Sequence, residues 1–222
     1  MAKAEKADKA SVNFTVYSEL RKSLMLGKIE PGASLRIQEL AEQFGTSHMP
    51  VREALRRLVS EQALTVLSNR SVAVPPLTNE RYEDILRTRI TLEGATVAWA
   101  CDTINNLEIA ELERLDLEIE AAREAGDKSA FLERHLQFHF LIYRCARSNA
   151  VLPLIESLWL QIGPYHHHMF EADHYKLRTR HHRELVAALH KRDKAAATKA
   201  LQDDLMMFAA DIRPRLSKVL ES

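Results

Sequence analysis

The chain has 222 residues, 46% hydrophobic and 28% charged, with 31 Lys/Arg balanced by 31 Asp/Glu. That is ample material for two packed domains, while no apolar run approaches the ~20 residues that span a bilayer. The zero net charge gives no global sign of nucleic-acid binding, but residues 1–76 hold 11 Lys/Arg against 8 Asp/Glu and the remainder 20 against 23, which biases the positive charge toward the N-terminus.

Only 6 Gly and 7 Pro occur, and long stretches rich in Ala, Leu, Glu and Arg favour helix over sheet. Residues 1–10 alternate Lys with Ala and acids and lack the apolar core of a secretion signal, so the expectation is a disordered tail on a cytoplasmic protein. Cys101 and Cys145 do not make a disulfide framework and are expected as reduced, half-buried thiols. Residues 11–76 then form a first domain. Val12, Val16, Leu20 and Leu24 recur every four residues, an amphipathic helix ended by Gly27. Pro31-Gly32 makes a turn, and Ile37, Leu40, Ala41 and Phe44 mark a short second helix stopped by Gly45. Ser47 can cap a third helix, with Pro50 in its first turn and Val51, Ala54, Leu55 and Leu58 facing inward. Two short helices joined by a tight Gly-containing turn predict a helix-turn-helix. Leu64–Leu67 and Val72–Val74, separated by the polar turn Ser68–Ser71, predict a two-stranded wing, and Pro75-Pro76 an exit to a linker.

The segment GKIEPGASLRIQELAEQFGTSHMPVREALRRLVSEQALTVLSNRSVAV resembles the winged helix of the GntR family of bacterial regulators. The PG-x-x-L turn, the LA-x-x-F-G helix and the S-x-x-PVREALRRL recognition helix stand in order over about 50 residues. The N-terminal turn of a recognition helix enters the major groove, so Ser47, His48, Met49 and Arg52 are expected to face bases and phosphates, with Arg52 suited to a bidentate guanine contact. The alternative for Arg52 is an ion pair with a neighbouring acid. Arg36 and Gln38 can hold phosphate, Asn69 and Arg70 can reach backbone or minor groove, and Arg56 and Arg57 read more simply as a solvated face. The sequence departs from the family at His48, where Arg is usual, and at Ser71, where Gly often follows Asn-Arg. The first departure implies an altered operator sequence.

From Leu77 to Ser222 the pattern is helical throughout. Helices are expected from Thr78 or Asn79 to Cys101, Asn105 to Ala125, Asp127 to Arg147, Asn149 to Tyr165, His174 to Lys191, and Asp193 to Leu220 with Pro214 bending its end. The predicted fold class is mainly α: a winged helix-turn-helix at 11–76, then at 77–222 an antiparallel bundle of about six helices. Arg89-x-x-Leu92-Glu93, Phe138-His139 followed by Asn149, and His182-Arg-Glu-Leu-Val-Ala-Ala-Leu189 with Asp193 resemble the FCD domain, the helical effector-binding partner of such winged helices.

Polar residues on apolar stripes mark a candidate site. His135 and His139 project from one helix face with Phe131 and Ile142; His182 shares a stripe with Leu185, Val186 and Leu189; Asp204 lies with Leu201 and Phe208. Unpartnered, such groups are costly to bury, and one divalent cation satisfies all four. His with carboxylate suits zinc, with nickel or manganese as alternatives. The other reading is core histidines hydrogen-bonded to neighbours. The FCD resemblance implies three His and one Asp as ligands; the usual Asp and final His are exchanged here as His135 and Asp204. His166, His167 and His168 diverge on a helix and read as a helix end or cavity rim, and His174 and His181 as solvent-facing. Arg89 heads inward on the stripe of Tyr82, Ile85, Leu86 and Leu92. It either pairs with Glu93 or, as the resemblance implies, grips an effector carboxylate; Arg144 can assist. The expected function is a homodimeric, non-enzymatic regulator, a repressor of operator DNA switched by a small organic acid. The alternatives are a ligand-free dimerisation bundle and a metallohydrolase. The last lacks an H-E-x-x-H motif, and Glu133 points away from His135.

Overall fold

The structure, a computed structural model, describes residues 2–67, 71–166 and 175–219. It is mainly helical and divides into two compact units, Met1–Pro76 with Trp159–Pro164, and Leu77–Leu158 with Tyr165–Ser222. No helix among the described residues is long and apolar enough to cross a membrane.

The first unit opens with α1 (Ala2–Met25). This helix reaches back through the expected tail, because Ala, Lys and Glu are strong helix formers and no Gly or Pro interrupts them. Its face of Val16, Tyr17, Leu20 and Leu24 is buried. After the turn, Ser34–Leu35 forms β1, a strand too short to carry any alternation legible in sequence. Then follow α2 (Ile37–Gln43) and α3 (His48–Ser60). Gly45 between them has φ +59° with open space where a Cβ would stand, so the turn needs glycine for its backbone angle and not for room. Helix α3 buries Pro50, Val51, Ala54, Leu55 and Leu58 and packs on α1 and α2. The wing strands are β2 (Thr65–Val66) and β3 (Val72–Ala73). The sheet is antiparallel in the order β1-β3-β2, with Ala73 opposite both Ser34 and Thr65.

The second unit is a helical bundle. Helix α4 (Asn79–Thr103) is capped by Thr78, whose Oγ1 accepts from the Arg81 amide at 3.2 Å. Helix α5 (Asn106–Glu124) starts with a capping box in which Asn105 and Glu108 satisfy each other's amides. Helix α6 (Lys128–Cys145) is capped by Asp127. Helix α7 (Val151–Ile162), whose residues from Trp159 on belong to the first unit, leads into a 3₁₀ turn at Gly163–Tyr165, so the expected fourth helix tightens at its end. Helices α8 (Tyr175–His190) and α9 (Lys194–Val219) follow, with Pro214 inside α9. Helix α9 packs on α4 and α8, and α5 on α6 and α8. Arg213 forks onto Glu83 at 2.6 and 2.9 Å, fastening α9 to α4. Cys101 and Cys145 are free thiols and fully buried rather than half-buried.

Candidate functional site

The outer face of α3 carries the candidate DNA contacts. Ser47 is its N-cap residue, His48 begins the helix, and both are exposed with Met49 and Arg52. Among the described residues Arg52 makes no ion pair. It lines a cleft of 610 Å³ with Arg56, Val66 and Val72, between α3 and the wing. Arg36 and Gln38 stand at the start of α2, exposed, and donate to Glu39 and Glu42 on the same helix. Such pairs exchange readily with phosphate, since exposed ion pairs contribute little. Asn69 and Arg70 lie outside the described residues. Arg56 pairs with Glu53, whereas Arg57 does more than cover a solvated face: its guanidinium stands 3.8 Å from the Tyr17 ring centroid and donates to Glu61.

In the bundle, His135 and His139 of α6, His182 of α8 and Asp204 of α9 converge, each offering a ligand atom within 4.8 Å of the others. All four are buried. The Nε2 atoms of His135 and His139 are 3.1 Å apart, and His139 Nε2 is 3.4 Å from Asp204 Oδ2. Two donors each about 2.1 Å from one ion stand roughly 3.0–3.4 Å apart in tetrahedral or octahedral geometry, so these spacings fit a shared cation. His182 Nε2 is buried with no hydrogen-bond partner among the described residues and lies 3.8 Å from Asp204 Oδ1. A bare, buried imidazole nitrogen aimed at a carboxylate is costly unless something electrophilic lies between them.

Groups behind the ligands fix their orientation. The Tyr143 hydroxyl donates to Glu93 Oε2 at 2.5 Å and lies 3.3 Å from His139 Nδ1. With its proton committed to Glu93, Tyr143 can only accept from His139, which places the His139 proton on Nδ1 and leaves Nε2 as a ligand. Burial pushes the His139 pKa down to about 3, against the pull of Asp204, so the ring is neutral at neutral pH. Glu93 is in turn gripped by Arg89, Nε at 2.6 Å and Nη2 at 3.3 Å, and the pair is wholly buried. Of the two sequence readings of Arg89, the internal pair is the one seen. His182 Nδ1 faces Asp116 Oδ1 of α5 at 3.2 Å, and the Phe138 ring stacks on His182 with centroids 4.3 Å apart.

Several of these groups carry no distinguishing signal in the sequence. Asp116 sits on a helix that looks amphipathic and unremarkable, and Tyr143 reads as an ordinary core aromatic. His166 is buried, with its ring 6.3 Å from His135 and 5.4 Å from Phe208. It borders the cluster without joining it. His167, His168 and His174 lie outside the described residues. His181 is mostly covered and pairs with Glu184 at 3.1 Å, and Arg144 is exposed.

Comparison with known proteins agrees with both units. The family described as "Bacterial regulatory proteins, gntR family" matches residues 14–74, and the FCD domain matches residues 84–206. The HTH-type transcriptional regulator McbR of Escherichia coli is 34% identical over 197 residues, 87% of this chain and 89% of that one. A solved structure of E. coli McbR/YncC superposes with a TM-score of 0.86 at 31% identity, covering 92% of this chain and 98% of that chain. The HTH-type transcriptional repressor RspR of Escherichia coli is 25% identical over 205 residues, 91% of this chain and 89% of that one.

Proposed function

We propose, from the premise that the chain belongs to the gntR family of bacterial regulatory proteins and carries an FCD domain, that it is a repressor whose grip on operator DNA is set by a small carboxylic acid bound at a metal in the helical bundle. The convergence of His135, His139, His182 and Asp204 is the observation that carries the effector half. These four residues would hold the ion, with zinc as the first choice and nickel or manganese as alternatives. The ion supplies a Lewis-acid position for a carboxylate oxygen when bound. Three neutral imidazoles and one carboxylate leave a divalent ion with net positive charge, which favours an anionic partner. Arg89 is the second group for that partner. Its fork is committed to Glu93, so an incoming carboxylate has to compete with Glu93 for the guanidinium.

On the DNA side, a homodimer would set two α3 helices into successive major grooves of a palindromic site. Arg52, exposed and unpaired among the described residues, is suited to guanine, and Ser47, His48 and Met49 surround it. Arg36, Gln38, Asn69 and Arg70 are the proposed flanking contacts. An effector shifts operator binding only through a difference in its affinity for the DNA-competent and DNA-incompetent states.

The experiment has two arms. In an operator-shift assay, Arg52→Ala should weaken specific binding by about 1–3 kcal/mol; undiminished specific binding removes the assignment. Metal analysis after reconstitution should find one ion per chain in the wild type and none in a His139→Ala, His182→Ala double variant. A wild type that takes up no metal overturns the effector half and leaves the bundle as a dimerisation element. Thermal-shift screening of carboxylic acids against the metal-loaded protein then identifies the effector class.

A further inference from the structure

Helix α5 contributes no ligand to the cluster, yet it sends one buried carboxylate toward it. Asp116 is 5% exposed, and its Oδ1 lies 3.2 Å from His182 Nδ1. Its other oxygen, Oδ2, is 3.5 Å from Arg183 Nε, and Arg183 also donates to Glu120 at 2.6 Å. Arg183 and Asp116 both line a groove of 450 Å³ along the α5–α8 seam, with Leu117, Val186 and His190. Asp116 therefore faces two ways: inward to a histidine of the cluster, and outward to an arginine that holds the carboxylate in place.

We propose that Asp116 is a positioning residue for the metal centre: it fixes the tautomer and rotation of His182 so that the Nε2 lone pair faces Asp204. Its purpose rests on the metal reading above, although the tautomer it sets can be measured without metal. An ionised carboxylate can only accept, so the His182 proton sits on Nδ1 and Nε2 is left bare. Among the described residues, Nε2 is the atom buried without a hydrogen-bond partner. The ring has two remaining freedoms, tilt and flip. Phe138, stacked at an interplanar angle of 25°, restrains the tilt, and Asp116 restrains the flip. The carboxylate–histidine pairing also makes the distal nitrogen more basic and a stronger ligand. Two clamps then act from different helices: Tyr143 with Glu93 of α4 on His139, and Asp116 of α5 on His182.

The test uses the full-length chain. In metal-free protein labelled with ¹⁵N-histidine, long-range ¹H–¹⁵N spectra should show His182, assigned by its loss in His182→Gln, protonated at Nδ1 and bare at Nε2. An Nε2-protonated ring overturns the proposal, and this wild-type measurement decides it even where a variant fails to fold. Asp116→Asn should scramble the tautomer. In chelator competition Asp116→Ala should lose about ten- to hundred-fold in zinc affinity, with Asp116→Asn losing less. Zinc affinity unchanged in both variants, with only metal-free stability lowered, means that Asp116 is merely structural. A wild type that binds no zinc but carries the Nδ1 tautomer refutes the metal reading and leaves the positioning of His182 by Asp116 standing.

Discussion

Tyr17 shows how much a single residue's partners change its meaning. In sequence it belongs to the apolar stripe of α1; in the structure its hydroxyl donates one shared bond to the Glu61 carboxylate, whose oxygens lie at 2.7 and 2.9 Å, beneath the Arg57 guanidinium. Burial first, then the bond to Glu61 and its charge, push the Tyr17 pKa from 10.0 up to about 12. A group whose folded pKa is raised stabilises the fold fully below its unfolded pKa, and that contribution disappears as pH climbs through the folded value. Urea denaturation followed across this window should therefore show the first unit weakening between pH 10 and 12, with a shallower decline in Tyr17→Phe. Equal slopes for the two proteins refute this. The same logic of partners applies at Arg57, which spacing alone leaves on a solvated face, and at Cys145, where burial pushes the thiol up to about 12 and makes it a poor nucleophile.

Among the elements, helices were the legible part. Their apolar spacing and their caps at Thr78, Asn105 and Asp127 are local signals, and the hydrogen bonds at those caps follow from them. Strand β1 left no trace, because two residues cannot show alternation. The turn after α7 carries a constraint of another kind. A Cβ on Gly163 would lie 2.4 Å from the Leu24 carbonyl oxygen and 2.7 Å from Met25 Cα, both backbone atoms of α1. Neither can yield without moving the helix. Gly163→Ala should cost about 1–3 kcal/mol in denaturant unfolding, the range for overpacking. Gly126 has open space and φ +71°, so Gly126→Ala should cost about 1–2 kcal/mol from backbone strain alone. A Gly163→Ala protein as stable as the wild type means that the turn separates from α1 at little cost.

For the whole molecule, the cluster draws on α6, α8 and α9, so occupancy joins segments distant in sequence. A ligand that binds only the folded state stabilises it by RT ln(1 + [L]/Kd), about 4 kcal/mol at a thousandfold excess over Kd. Zinc should therefore raise the melting temperature of the bundle, a chelator should reverse the rise, and His182→Gln should abolish it. A melting curve indifferent to zinc, nickel and manganese fits a bundle without a metal. Trp159–Pro164 is grouped with the N-terminal unit although it follows half of the bundle in sequence. Contiguous boundaries cannot express that arrangement, since compact units are defined by packing and not by chain order.

The sequence by itself determined the winged helix, the helical bundle and the four candidate ligands, because helix spacing is rigid: residues three or four apart share a face in any fold. That rigidity sets His135 beside His139 and allows Arg89 beside Glu93. What only the tertiary structure decided was which faces meet. Tyr143 reaches Glu93 across 50 residues of chain, and Asp116 reaches His182 across 66. Those partnerships depend on the register and rotation of one helix against another, set by the whole core at once. No single helix's sequence encodes them.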